Sequence, residues 1–264
     1  MSADDASLER ALLLVAQGSR VRSHAWLKAR LSASLSEIAA ESGITPAEVI
    51  ARLEHDGELR AELAELLRVG ETRFFRDASQ WQALRRRLLP GLGGPRLRAL
   101  SAGCSTGEEA WTLAMLLHEA AGDRPLRVVG VDRSRMALAA ARSGSYARES
   151  ARELPADLTS RYLEATPDGG LRVSSSLHEH VSFVVRDLLQ GVPPGEFDLV
   201  VCKNVLIYLG EDAVRRLLAV LEKALAEHGL LLVARSEVPL ARGFGLQAEE
   251  LEPGVVAFRR RAPK

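Results

Sequence analysis

Apolar positions along this chain follow two different rhythms. Up to Leu89 they recur at helical spacing, and beyond Pro95 they gather into short runs separated by helical stretches. Thr45-Pro46-Ala47-Glu48 predicts a helix start, with Thr45 capping, Pro46 in the first turn and Glu48 bonding back, and the helix is expected to stop near Gly57. Leu59, Leu63, Leu66 and Leu67 then share one face of a short amphipathic helix. Residues 1–89 show no strand-like alternation and are expected to form a helical domain. Pro90-Gly91-Leu92-Gly93-Gly94-Pro95 interrupts both rhythms, so the linker is placed at 90–95.

A second domain is expected over 96–262. Strand-like runs at 96–100, 126–131, 181–185, 197–202 and 229–234 alternate with helical stretches, and 246–259 reads as a closing antiparallel hairpin. Irregular patterning with Asp168-Gly169-Gly170 predicts a small β-subdomain inserted at about 145–182. This order predicts an α/β fold, a mixed sheet with helices on both faces.

The candidate chemistry lies where the first of these strands ends. Ser101-Ala-Gly-Cys-Ser-Thr-Gly-Glu-Glu-Ala-Trp111 joins a strand to a helix, and Gly103 and Gly107 permit positive φ and close backbone approach to a ligand. The second strand ends in Asp132, where Rossmann-like sheets place a carboxylate on ribose hydroxyls. The glycine pattern is not G-x-G-x-x-G, and no diphosphate site follows. A ribose without a pyrophosphate points to S-adenosylmethionine. On these residues alone, a packed turn with no ligand is the alternative.

Charge and cysteine usage narrow the class. The 35 Lys and Arg balance the 35 Asp and Glu, so bulk attraction to nucleic acid or membrane is not expected. Cys104 and Cys202 lie in no C-x-x-C pair and near no histidine at ligand spacing, so they read as small buried residues and no metal is expected. Without a signal peptide or a long apolar run, the expected location is the cytoplasm. Against this neutral background Arg20, Arg22, Lys28 and Arg30 form a local basic stretch, either a solvated helix face or a dock for an acidic partner.

Five motifs in order then resemble the CheR-type chemoreceptor glutamate methyltransferases. They are Gly70-Glu-Thr-Arg-Phe-Phe-Arg-Asp77, Ser101 to Glu109, Val131-Asp132, Cys202-Lys-Asn-Val-Leu-Ile-Tyr208 and Ser236-Glu237, and together they span nearly the whole chain. The resemblance implies a small all-α N-terminal domain before a Rossmann-like, S-adenosylmethionine-dependent methyltransferase domain with a seven-stranded mixed sheet and an inserted β-subdomain. It implies that Thr72 and Arg76 reach the methionine end of the cofactor and that Glu108 meets its ammonium. By the same resemblance Asp132 meets the ribose, Asp187 and Leu188 flank the adenine, and Asn204 and Val205 follow the fourth strand, close to the reacting methyl. Gly70 stands where many members have asparagine, and Lys203 replaces the common arginine, which keeps charge but loses the planar fork.

The implied reaction gives glutamate methyl esters on the cytoplasmic domain of a methyl-accepting chemoreceptor, leaving S-adenosylhomocysteine. A carboxylate of pKa about 4.3 is already ionised at neutral pH, so no general base is required. Catalysis then rests on alignment, worth about 7 to 11 kcal/mol when reacting atoms are well held. Arg76 and Tyr208 are assigned orienting roles. A domain-junction salt bridge is the other role open to Arg76, and simple packing the other for Tyr208. The basic stretch would face the acidic methylation helices of the receptor, and the short 164–173 segment favours a mode that needs no receptor tail. A methyltransferase of another substrate, and a non-catalytic sensor of the cofactor, are the competing readings.

Overall fold

The computed structural model describes residues 3–15, 25–66 and 72–260. Two compact units are present, Met1–Val69 with Tyr208–Gly210, and Gly70–Ile207 with Glu211–Lys264.

The smaller unit holds α1 (Ala3–Val15), α2 (Ala25–Ser42), α3 (Pro46–Arg52) and α4 (Gly57–Leu66). Its core is built from Ala11, Leu31, Leu35, Val49, Leu53 and Leu63. The Thr45 capping box forms, with the Thr45 N–H donating to Glu48 Oε2 at 2.7 Å and the Glu48 N–H donating to Thr45 Oγ1 at 3.3 Å. The helix it opens stops at Arg52, short of the expected Gly57, which instead begins α4. The cause is Asp56, whose Oδ1 accepts the Leu59 N–H at 2.9 Å and so starts a new helix there.

The larger unit begins with α5 (Ala78–Ala83), which widens into a π turn, Leu84–Leu88, and a 3-10 turn, Leu89–Gly91. Then follow β1 (Leu97–Ala102), α6 (Glu108–Ala121), β2 (Leu126–Asp132), α7 (Arg135–Ser143), β3 (Ser145–Tyr146), α8 (Ala156–Tyr162), β4 (Leu163–Ala165), β5 (Leu171–Val173), α9 (Ser175–His178) and β6 (Val181–Val185). The chain closes with β7 (Phe197–Cys202), α10 (Glu211–Ala224), β8 (Leu225–Val233), α11 (Val238–Phe244), β9 (Gln247–Glu252) and β10 (Val255–Arg259). The main sheet has seven strands in the order β6-β2-β1-β7-β8-β10-β9. The first five run parallel, while β10 is antiparallel to both of its neighbours. A second sheet, β3-β5-β4, occupies the segment after α7.

Residues 72–89 belong with this sheet, and the compact units divide ahead of them, not at the proline-glycine cluster 90–95. Phe74, Phe75, Trp81, Leu84, Leu88 and Leu89 are buried in one core with Leu97, Trp111 and Leu199. Burial on that scale outweighs the turn-forming composition of 90–95, which only redirects the chain into β1. Strand β8 also starts before the expected Gly229, because Leu225 pairs with Phe197 before the register shifts. Both cysteines are buried free thiols. No described helix is long and apolar enough to cross a membrane.

Candidate functional site

Strand order reverses between β1 and β7, since the chain moves outward from β1 to β2 and β6 on one side and from β7 to β8 on the other. In open parallel sheets the crevice beyond the carboxyl ends at such a point is where ligands bind. The loops leaving β1, β2, β6 and β7 therefore define the site.

The loop after β1 is fixed from beneath. Gly103 and Cys104 N–H groups both donate to the Val131 carbonyl, at 2.8 and 3.0 Å, and Ser105 N–H donates to Asp132 Oδ2 at 3.0 Å. Tyr146, on the inserted sheet, donates its hydroxyl to the Thr106 carbonyl at 2.7 Å. Gly103 and Gly107 have φ of 83° and 96°, as the turn requires. The protein's own packing also excludes their side chains. A Cβ on Gly103 would lie 2.5 Å from Val205 Cγ2, and one on Gly107 would lie 2.7 Å from the Ala141 Cβ, so the protein's own packing demands both glycines.

The loop after β7 is held by one buried carboxylate. Glu237 accepts the N–H groups of Asn204 at 2.9 Å, Ala234 at 3.1 Å and Ile207 at 3.2 Å. Burial raises its pKa, and these backbone donors pull it back. Asn204 is left-handed, with φ of 58°, a conformation asparagine tolerates better than most residues.

Two adjacent glutamates open α6. Glu108 is buried, which lifts its pKa, while the Thr106 hydroxyl donates to Oε2 at 2.7 Å and works the other way. Glu109 is lifted further, to about 7, chiefly by burial, against the opposing pull of Lys203, the Ser101 hydroxyl at 2.8 Å and Arg76. Asp132 spends one oxygen on Ser105 and the other on the Ser134 N–H at 2.9 Å.

Arg76 sits in a constrained turn in which Phe75 and Asp77 both have positive φ, 58° and 62°. Left-handed residues of this kind each cost on the order of 1–3 kcal/mol and persist only where neighbours fix them. Here the Phe75 N–H donates to Thr112 Oγ1 at 3.1 Å, and Trp81 Nε1 donates to the Arg76 carbonyl at 2.8 Å. Lys203 Nζ donates to that same carbonyl at 2.5 Å and pairs with Asp77 Oδ2 at 3.2 Å.

Residues 70–242 match the family described as CheR methyltransferase, SAM-binding domain. The chain belongs to the CheR methyltransferase family. Chemotaxis protein methyltransferase 1 of Pseudomonas aeruginosa is 30% identical, over 86% of this chain and 88% of that protein. A chemotaxis protein methyltransferase of Listeria monocytogenes is also 30% identical, over 77% and 78% of the two chains. Among solved structures, a TehB-like SAM-dependent methyltransferase from Corynebacterium glutamicum aligns over 70% of this chain and 97% of its own, with 18% identity and a TM-score of 0.42.

The CheR family's cofactor is S-adenosylmethionine, and the donor set here suits it. Glu108 is a carboxylate withheld from water, and an ammonium beside it would offset the burial that lifts its pKa. Asp132 closes the end of β2 beside the Ser105 loop, where its carboxylate, an acceptor-only group, suits ribose hydroxyls. Among the described residues no group of His, Cys, Asp and Glu could hold a metal ion.

Of the residues singled out from the sequence, Gly103, Glu108, Asp132, Asp187, Leu188, Asn204 and Val205 come together at the carboxyl ends of four neighbouring strands. Asp187 caps the 3-10 turn after β6, where its Oδ1 accepts the Leu189 N–H at 2.9 Å. The side chain of Val205 faces Gly103. Thr72 and Arg76 are half-buried in the segment leading to α5. Tyr208 ends the turn Leu206–Tyr208 and groups with the smaller unit. Arg20 and Arg22, like Gly70, lie outside the described residues, and Arg30 is described only as part of α2. Lys28 Nζ pairs with Glu9 of α1 at 2.8 Å. Glu109, Tyr146 and Thr112 were not among the expected site residues. The second glutamate of the Gly-Glu-Glu run was the one local signal for them.

Proposed function

We propose that the protein transfers the methyl group of S-adenosylmethionine to glutamate side chains of a cytoplasmic chemoreceptor domain, forming methyl esters. What carries this reading is the convergence of Glu108, Asp132 and Asn204 at the switch point of the sheet, in a chain whose relatives are named chemotaxis protein methyltransferases. Bound there, the cofactor supplies a methyl carried on a sulfonium, and a carboxylate nucleophile takes it without losing a proton. The residues of the chain then have orienting work only. Glu108 would hold the ammonium, Asp132 the ribose and Asp187 with Leu188 the adenine, while Thr72, Arg76, Asn204 and Val205 would surround the methionine end and the methyl.

Arg76 and Tyr208 are assigned to orientation, since an arginine that bound the substrate carboxylate equally in ground and transition states would not raise turnover. The basic residues Arg20, Arg22, Lys28 and Arg30 are proposed to meet the acidic receptor helices, and the site of action is the cytoplasm. The test is mass spectrometry of receptor cytoplasmic fragments after incubation with this protein and labelled cofactor. Methyl groups on glutamate that are released in mild base are expected. Label on another residue type, or no label with the cofactor bound, would overturn the assignment.

A further inference from the structure

The Arg76 carbonyl accepts two donors, the Trp81 indole at 2.8 Å and the Lys203 ammonium at 2.5 Å. That is unusual attention for one backbone oxygen. It lies between two left-handed residues, Phe75 and Asp77, and phenylalanine seldom adopts that conformation. Lys203 also pairs with Asp77 at 3.2 Å and lies 5.0 Å from the centre of the Trp81 ring. One ammonium thus touches the backbone of Arg76, the side chain of Asp77 that follows it and the ring that braces the turn.

Lys203 is itself fixed from behind. It is the first residue after β7, and the next one, Asn204, is held by Glu237 through its backbone N–H. The Lys203 side chain is only 2% exposed, an environment in which a charge is expensive unless it is paired and hydrogen-bonded. A buried lysine that spends its donors on a backbone carbonyl and a neighbouring carboxylate joins two segments far apart in sequence. In this arrangement the end of β7 sets the path of the chain at Arg76.

We propose that Lys203 is a positioning residue for Arg76, holding the Phe75–Asp77 turn so that the guanidinium is presented to the cofactor. This rests on the assignment of Arg76 to the cofactor site. The lysine acts through the turn. Arginine at this position carries the same charge and offers N–H donors for the same carbonyl and carboxylate, so it can fill this role where an apolar side chain cannot.

The test is a double-mutant cycle read by calorimetric binding of S-adenosylhomocysteine to the full chain. Lys203→Met and Arg76→Ala are each expected to weaken binding about tenfold, and the double variant to bind no more weakly than Arg76→Ala alone. Lys203→Arg is expected to stay within about threefold of wild type, a rescue that mere loss of stability would not produce. Lys203→Gln keeps a donor for the carbonyl without a buried charge. It should fall between wild type and Lys203→Met, and it stands in if the methionine variant does not fold. Losses that add in full, or Lys203→Met and Lys203→Gln both binding as wild type, would overturn the proposal while leaving Arg76 in the site. An Arg76→Ala protein with wild-type affinity would remove the assignment beneath it, and the proposal with it.

Discussion

Replacing Glu109 with glutamine should stabilise the protein at neutral pH, and by an amount that depends on pH in a defined way. Burial pushes this carboxyl from 4.5 to about 7, despite the opposing pull of Lys203, the Ser101 hydroxyl and Arg76. A folded-state value above the unfolded one means that the native protein binds more protons between the two. The stability this carboxyl contributes is therefore fully present below about pH 4.5, falls as pH rises, and is lost above about 7. The displacement corresponds to about 3 kcal/mol against the charged form. Glutamine keeps the shape and an acceptor for Ser101 without the charge.

The difference between the two proteins should thus be near zero at about pH 4.5, grow through the window, and approach about 3 kcal/mol at about pH 8 in favour of Glu109→Gln. Urea denaturation followed by circular dichroism at intervals across this range measures it, and subtracting the wild-type curve removes the other titrations. In thermal scans the same energy is about 2–4 °C per kcal/mol for a unit of this size. A flat difference curve, or a variant less stable than wild type at about pH 8, would refute the reasoning.

Two further substitutions test the loops. Gly103→Ala should destabilise by the about 1–2 kcal/mol of a left-handed L-residue plus about 1–3 kcal/mol of overpacking against Val205, and adding Val205→Ala should recover only the packing part. Equal stability of the single and double variants in urea would contradict this. Glu237→Gln turns an amide N–H toward a backbone N–H and should lose about 1–3 kcal/mol. It should also weaken S-adenosylhomocysteine binding about tenfold in calorimetry, because Asn204 is no longer clamped, and wild-type affinity would count against the clamp.

Local chemistry was legible in most places where cause and effect lie within one turn of chain, the Asp56 cap on Leu59 being an exception. The β1 to α6 loop, the inserted hairpin around Gly169 and the antiparallel β9–β10 closure all follow from glycine placement and apolar runs. Distant partners were not legible. Nothing near Glu237 in sequence announces that its carboxylate serves amides as far back as Asn204, and nothing near Lys203 points to Arg76. The proline-glycine cluster 90–95 reports a change of direction, whereas the division into compact units follows where burial ends, ahead of residue 72. The reason for Gly103 was likewise hidden, since the atom that excludes a side chain there belongs to Val205.

That shared volume has an evolutionary corollary. Positions 103 and 205 cannot drift separately: a lineage that gains bulk at the first must shed it at the second, or abandon the turn. Aligned descendants in which the first site departs from glycine should therefore carry a smaller residue at the second, and a library randomised at both should return few such clones, because the left-handed turn penalises any side chain at 103.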